Sequence, residues 1–302
     1  MDLRGGHIGD EGSRYLATAL KGNSTISLLN LSDNGIGDMG SKLIFKAMEF
    51  NLSITHLNVS WNRITTEGFK ILSKILGGNS TLIHLNLSGN EMGYDSISVI
   101  AAALQINSTL KHLNMSCNLI KSEGSGYVSQ LIERNSALTS LNISYNQIGC
   151  KGSKLISKSL EKNSTLTYLN LSNNQFGEEV SVSLSKSLAL NHSLTELDLS
   201  WNKIYRNGLE SLLKAFEVNS SLIHLDFSNN PIPDQRYNSS FNFKQNVRKI
   251  INWPRSHHFF IEKTKGRIEE ILLVTNLYHL PKDLKILLMN HILSKFLRNG
   301  LI

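Results

Sequence analysis

The sequence predicts an α/β solenoid: short parallel strands stacked into one concave sheet, with helices on the convex side. Three observations lead there. An asparagine recurs every 28 residues, at Asn34, Asn62, Asn90, Asn118, Asn146, Asn174, Asn202 and Asn230, with no insertion or deletion between them. Each stands in the pattern L-x-x-L-x-L-S-x-N-x-I, with Ile, Val, Met or Phe replacing Leu in some copies. The remainder of each unit has helical periodicity and closes on a second asparagine column, Asn23, Asn51, Asn79, Asn107, Asn135, Asn163, Asn191 and Asn219.

Each element follows from the pattern in turn. Side chains alternate along a strand, so in "LIHLNLSGNEMG" Leu85 and Leu87 are expected to point into the solenoid and His84, Asn86 and Ser88 out of it. The repeat asparagine after the strand is read as structural, because its amide can satisfy the backbone groups of an irregular turn. In "EGFKILSKILGGN" (67–79), Phe69, Leu72, Ile75 and Leu76 share one helical face. Gly40, Gly68, Gly124, Gly152 and Gly208 recur where a helix would pack closely on its neighbour. The second asparagine column is read as a left-handed cap at each helix end.

The two ends depart from the pattern. Counting back one period aligns Leu3 with Leu31 and Ile8 with Ile36, so the chain begins inside a repeat with Gly6 where asparagine should stand, and the edge is expected to fray or else to be covered by a partner or another copy. At the other end Pro231 and Pro233 break the register, giving an array over 1–233 (one truncated and eight full repeats) and a basic tail over 234–302. Residues 1–230 hold 19 basic and 19 acidic side chains, whereas 231–302 hold 12 and 5, so the whole net charge of +7 lies in the tail. Its lysines are interleaved with apolar residues over 241–253, 266–280 and 281–297, which predicts helices with a solvated face acting as a cap, with no nucleic acid as partner.

Composition narrows the function classes. No apolar run approaches the roughly 20 residues of a membrane helix, and "MDLRGGHIGDEG" lacks the basic and apolar regions of a secretory signal. Cys117 is placed at a strand end and Cys150 in a loop, which disfavours a bridge and suits a reducing, cytoplasmic site of action. The N-x-S/T triplets arise from the repeat itself and are read as accidental. No nucleophile elbow, P-loop, dinucleotide turn, H-E-x-x-H or C-x-x-C is present, so no catalytic residue and no cofactor is assigned.

A 28-residue unit "L-x-x-L-N-L-S-x-N-x-I-G-x-x-G" with a full helix resembles the ribonuclease-inhibitor type of leucine-rich repeat, over Leu3 to about Pro233. The resemblance implies a horseshoe that holds another protein. Relatives of this class include enzyme inhibitors, activators of small GTPases, innate sensors and effectors that intracellular bacteria deliver into host cells, and the Asn, Ser, Lys and Ile richness with few prolines looks most like the last.

Columns read down the stack separate scaffold from site. The Ser32 to Ser228 column and the Asn30 to Asp226 column are nearly uniform and are assigned to structure and solvation. The neighbouring columns vary: Leu28, His56, His84, His112, Ser140, Tyr168, Glu196, His224 in one, and Asp33, Trp61, Gly89, Cys117, Tyr145, Asn173, Trp201, Asn229 in the other. Specificity is expected there, on Trp61, His84, His112, Tyr145, Tyr168, Glu196, Trp201 and His224, since Trp and Tyr most often anchor interfaces. His56, His84 and His112 sit beside asparagines rather than carboxylates, so they are read as a mildly pH-sensitive ladder and not as a metal site. The function expected is protein binding on the concave face by an effector-like inhibitor or scaffold acting through steric occlusion, with no enzymatic activity. Two alternatives are a GTPase activator with Arg63 or Arg206 on the loops as its finger, and a substrate adaptor for a ubiquitin-ligase-type assembly. The adaptor reading draws on "LPKDLKILLMNHIL", which resembles the opening of F-box-like adaptors although only 22 residues follow Leu280.

Overall fold

In the computed structural model, residues 1–215 and 218–231 are described. Among them eight helices alternate with eight strands: α1 (Gly9–Lys21), β1 (Leu28–Asn30), α2 (Asp38–Met48), β2 (His56–Asn58), α3 (Thr66–Leu76), β3 (His84–Asn86), α4 (Tyr94–Ile106), β4 (His112–Asn114), α5 (Lys121–Arg134), β5 (Ser140–Asn142), α6 (Gly149–Ser159), β6 (Tyr168–Asn170), α7 (Glu178–Leu190), β7 (Glu196–Asp198), α8 (Arg206–Ala215) and β8 (His224–Asp226). The strands pair in sequence order, all parallel, in one sheet whose register is the 28-residue repeat: His56 lies opposite His84, and His84 opposite His112. This is the α/β solenoid expected. Strands repeat at about 4.8 Å while packed helices need about 8–10 Å, so a stack of such units curves with its sheet on the inside. The tail at 234–302, and the helices expected in it, lie outside the described residues.

The core runs through the stack between sheet and helices. In the third full repeat Leu82, Leu85, Leu87 and Met92 are buried, and they meet the apolar face of α4, with Ile97, Ile100 and Leu104 also buried. In α3 the buried face is Gly68, Phe69, Leu72, Ile75 and Leu76, as its spacing predicts. A methyl group on Gly152 would stand 2.5 Å from Ser125 Oγ, and one on Gly40 would stand 2.7 Å from Ser13 Oγ, so these glycines set how closely α6 approaches α5 and α2 approaches α1. The helix starts are tied to the neighbouring repeat as well. Asp10 Oδ1 accepts from Gly37 N (2.8 Å) and Gly40 N (2.9 Å), and Asp38 Oδ1 accepts from Thr65 N (2.8 Å) and Gly68 N (3.0 Å), so one helix's first carboxylate caps the next.

The first asparagine column is buried throughout and the second except at Asn23 and Asn79, and the buried members stitch neighbours together. Asn118 Nδ2 donates to Leu87 O of the preceding repeat (3.2 Å) and to Met115 O (3.1 Å) and Ser116 O (3.0 Å) of its own, while its Oδ1 accepts from Met92 N (3.0 Å). This is the structural role read from the sequence. The second column differs from expectation: Asn107, Asn135 and Asn191 have φ of −77°, −75° and −81° with ψ of 125°, 129° and 129°, so they are extended and not left-handed caps. Asn107 instead reaches back one repeat, donating to Leu76 O (2.7 Å) and Asn79 O (2.9 Å), and its Oδ1 accepts from Thr109 N (3.1 Å) and Leu110 N (2.9 Å). The helix-end carbonyls find their donors in a neighbour's side chain, which removes the need for a left-handed turn.

The serine column is a second correction. Ser32, Ser60, Ser88, Ser116, Ser144, Ser172 and Ser200 are buried rather than outward and solvating. Each strand is only three residues long, and the Asn or Asp at its end turns the chain: Asn86 Oδ1 accepts from Ser88 N (3.0 Å) and Asp198 Oδ1 from Ser200 N (2.9 Å). Strand alternation therefore stops before the serine. The amino end is also held where fraying was expected. Asp2 bridges Asn30 in parallel, the Met1 ammonium donates to Leu28 O (2.6 Å), and Leu3 N donates to Asn30 O (2.9 Å). Cys117 lies in the turn after β4, and Cys150 in the first turn of α6 rather than in a loop; both are free thiols.

Candidate functional site

The inner face is built from the outward residues of the strands. Because the register is exact to the residue, Leu28, His56, His84, His112, Ser140, Tyr168, Glu196 and His224 stand abreast in one row, with Asn30 through Asp226 in the next. A trough of about 610 Å³ opens over the row, lined by Leu28, the three histidines, Ser140 and Tyr168 and floored by the asparagine row. The imidazoles stack face to face: His56 on His84 at 4.0 Å between ring centres and 13° between planes, His84 on His112 at 4.0 Å and 2°. His56 Nδ1 lies 2.8 Å from Thr55 Oγ1. Partial burial, then the like charges of His112 and His56, hold His84 below the usual imidazole range, and burial followed by His56 does the same to His112. With rings in parallel planes their nitrogens do not converge on one point. Among the described residues no group of three or more His, Cys, Asp or Glu is placed to hold a metal ion.

The second variable column forms a rim, not part of the sheet. Trp61, Tyr145 and Trp201 lie in the turns after β2, β5 and β7, with φ of 55°, 56° and 55°, and are 60 %, 49 % and 57 % exposed. The same turn position is left-handed in every repeat, and elsewhere holds Asp33, Gly89, Asn173 and Asn229, residue types suited to that backbone, and Cys117, which is not. The Trp61 indole lies over the next repeat: a methyl group on Gly89 would stand 2.5 Å from Trp61 Cδ2.

Of the eight residues singled out by sequence, the structure thus brings His84, His112 and Tyr168 together in the trough. Glu196, exposed, and His224, half-buried, continue the same row on β7 and β8. Trp61, Tyr145 and Trp201 stand apart on the rim. The trough also takes in His56, Leu28, Met1 and Asp2, which were not singled out. An apolar Leu28 heading a polar column, left 53 % exposed, was the signal that could have found that end. Arg206 is not on a loop: it is the first residue of α8 and pairs with Glu210 at 2.9 Å, while Arg63 is in the turn after β2. No helix among the described residues is long and apolar enough to cross a membrane.

Comparison with known proteins accords with this geometry. The leucine-rich-repeat family model matches residues 22–44, 50–70, 78–101, 107–124, 134–157, 162–179 and 190–213. No curated protein matches the chain in sequence. Among solved structures it is similar to Leiomodin-1 Actin-Binding Site 2, at 23 % identity and a TM-score of 0.44 over 51 % of this chain and 88 % of that one. It is similar also to the APL1 leucine-rich repeat domain (22 %, TM-score 0.37, 62 % of this chain and 39 % of that one) and to that of APL1B (20 %, 0.33, 62 % and 45 %). The chain therefore spans less than half the length of either APL1 structure. The family segments together make up half of the sequence, and with one strand and one helix per repeat the chain belongs to the leucine-rich-repeat family.

Proposed function

We propose that this protein binds a partner protein across its inner face and the turn rim beside it, and that it acts by occluding its partner's surface, as an inhibitor or scaffold of the effector kind. Family membership supports a protein-interaction module, since stacked repeats present extended concave surfaces. The observation that carries the finer reading is the backbone under Trp61, Tyr145 and Trp201. A bulky side chain at positive φ costs about 1–2 kcal/mol, and in the five sister repeats the same turn holds glycine, asparagine or aspartate in four and the small Cys117 in one. Large rings kept at that cost, and kept exposed, answer to something other than folding. Eight strands span roughly 35 Å, enough for the ~800 Å² per partner of a standard interface. Under this reading Tyr168, Trp201 and Tyr145 anchor the partner, Trp61 marks the far rim, and His84, His112, Glu196 and His224 tune it.

Affinity capture with the full chain, followed by calorimetry on Trp201→Ala and Tyr168→Ala against the captured protein, tests it. Losses of about thirtyfold or more are expected at a true anchor, and wild-type affinity in both variants would move the site elsewhere. The GTPase-activator alternative rests on Arg63 alone once Arg206 is engaged with Glu210. It predicts an acceleration of hydrolysis by orders of magnitude that Arg63→Ala removes.

A further inference from the structure

The inner face is not uniform in charge. Over β1 to β5 the row and its floor are Leu28, the stacked His56, His84 and His112, Ser140 and the asparagines, while Glu196, Asp198 and Asp226 put carboxylates over β7 and β8. The groups facing the imidazole stack are few. Leu28 flanks it from β1 and Ser140 from β5; Asn58, Asn86 and Asn114 lie beside it; Thr55 meets His56 Nδ1. The one carboxylate lining the trough is Asp2, at the far end, and its Oδ1 already accepts from Asn30 Nδ2 (2.9 Å) and Arg4 N (3.1 Å). No lysine or arginine lines it, and the cation that does is the Met1 ammonium, at the same far end, donating to Leu28 O (2.6 Å). Three imidazoles thus share a trough whose one carboxylate stands at the far end, held by Asn30 and Arg4 N, with none beside the stack itself.

We propose that this half of the inner face receives a carboxylate-rich segment of a partner protein, and that the histidine stack makes its capture stronger as the pH falls. The proposal deepens the protein-binding reading and rests on it. Rings 4.0 Å apart repel one another once more than one is protonated, so the empty trough resists charging. A bound carboxylate offsets that repulsion and is bound in turn more tightly by imidazolium, because the two equilibria are linked and their coupling is reciprocal. Protonation turns an imidazole from a neutral donor and acceptor into a cation that donates from both nitrogens, the form that a carboxylate binds more strongly. The occupant is taken as a protein segment because the family is one of protein-interaction modules, and a nucleic acid is an outcome of the test. The carboxylates on β7 and β8 would repel the same segment, so it is confined to the other half and its direction is fixed.

The test uses the full chain and a labelled peptide of eight glutamates, with the all-glutamine peptide and a single-stranded oligonucleotide as controls, followed by fluorescence anisotropy at about pH 7.5 and about pH 5.5. The basic tail will attract any anion, so the readout is the difference between wild type and a His56→Gln, His84→Gln, His112→Gln variant of matched circular dichroism. We expect the wild type to bind the glutamate peptide about tenfold more tightly at the lower pH, with the variant losing that gain. Affinity unchanged with pH, a pH gain that survives in the variant, equal gain with the glutamine peptide, or tighter binding of the oligonucleotide would each overturn the proposal. Failure of the Trp201→Ala measurement leaves this outcome independent, because Trp201 stands in the turn after β7 and outside the trough, whereas Tyr168 lines the trough and is kept unchanged in the histidine variant.

Discussion

At the scale of single residues, the turn after each strand is where folding and binding pull in different directions. Trp201 adopts φ of 55° and is 57 % exposed, so it gives the fold little in return for its backbone strain. Trp201→Gly is therefore expected to melt no lower than wild type in a thermal scan, and to lose binding to the captured partner; a clear drop in melting temperature would show that the ring is structural. Trp61→Gly should lose more, since that indole packs over Gly89. The aromatics were legible as exposed because the repeat told which columns leave the core, but their left-handed backbone was not, since nothing in a tryptophan announces positive φ. What would have announced it is most of the company the column keeps: Gly89, Asn173, Asp33 and Asn229, with Cys117 the exception. The histidines carry a second residue-scale expectation. Burial holds His84 and His112 below the ordinary imidazole pKa of about 6.5 in the folded chain, so the unfolded chain takes up protons first. Their effect on stability is complete above that value and is lost as pH falls toward the folded ones. Wild type should thus lose more of its melting temperature between about pH 7 and pH 5 than a His84→Gln, His112→Gln variant does.

At the scale of elements, each repeat is a strand, a turn and a helix whose polar ends are satisfied by the repeat next to it. Asn118 makes this concrete: its amide serves four backbone groups in two repeats and is 3 % exposed. Asn118→Ala orphans buried carbonyls and an N–H, each costing about 1–3 kcal/mol, so a loss of about 3 kcal/mol or more is expected in denaturant unfolding. A loss below about 1 kcal/mol would mean that water replaces the side chain. Helix contacts are tested by a pair of glycines in neighbouring elements. Gly152→Ala forces a methyl group to within 2.5 Å of Ser125 Oγ and should destabilise by about 1–3 kcal/mol. Gly126→Ala, with nothing within 4 Å, should be neutral or stabilising by up to about 1 kcal/mol. The glycine column and the first asparagine column could be read from period alone. The second asparagine column was misread because a helix-end asparagine is a common left-handed cap, and only the neighbouring repeat, with Leu76 O and Asn79 O in reach, reveals the extended alternative. The serine column was misread for a related reason: alternation was carried past a strand that ends after three residues.

At the scale of the whole molecule, the array has two ends and only one of them is covered within the described residues. On the β1 side Asp2 and Leu3 continue the ladder and the Met1 ammonium closes on Leu28 O, so the first strand does not face solvent as a bare edge. On the β8 side the ladder runs from β7 into β8 and no further strand follows among the described residues. An exposed parallel edge with a core cross-section behind it is both a stability loss and an aggregation hazard, and solenoids answer it with a terminal unit of different sequence. The chain changes character at that point, from balanced charge over 1–230 to 12 basic and 5 acidic residues over 231–302. We propose that 234–302 supplies this cover, as one cooperative unit with the repeats. Removing residues 241–302 should then leave an array that is insoluble or melts in a broader, lower transition, with the loss concentrated in β7 and β8 and fading toward β1, because each repeat is stabilised by its neighbours. Hydrogen exchange resolved by segment reads that gradient directly. A truncated chain with unchanged melting and unchanged protection in its last repeats would show that the repeats end without a cap and free the basic segment for another task.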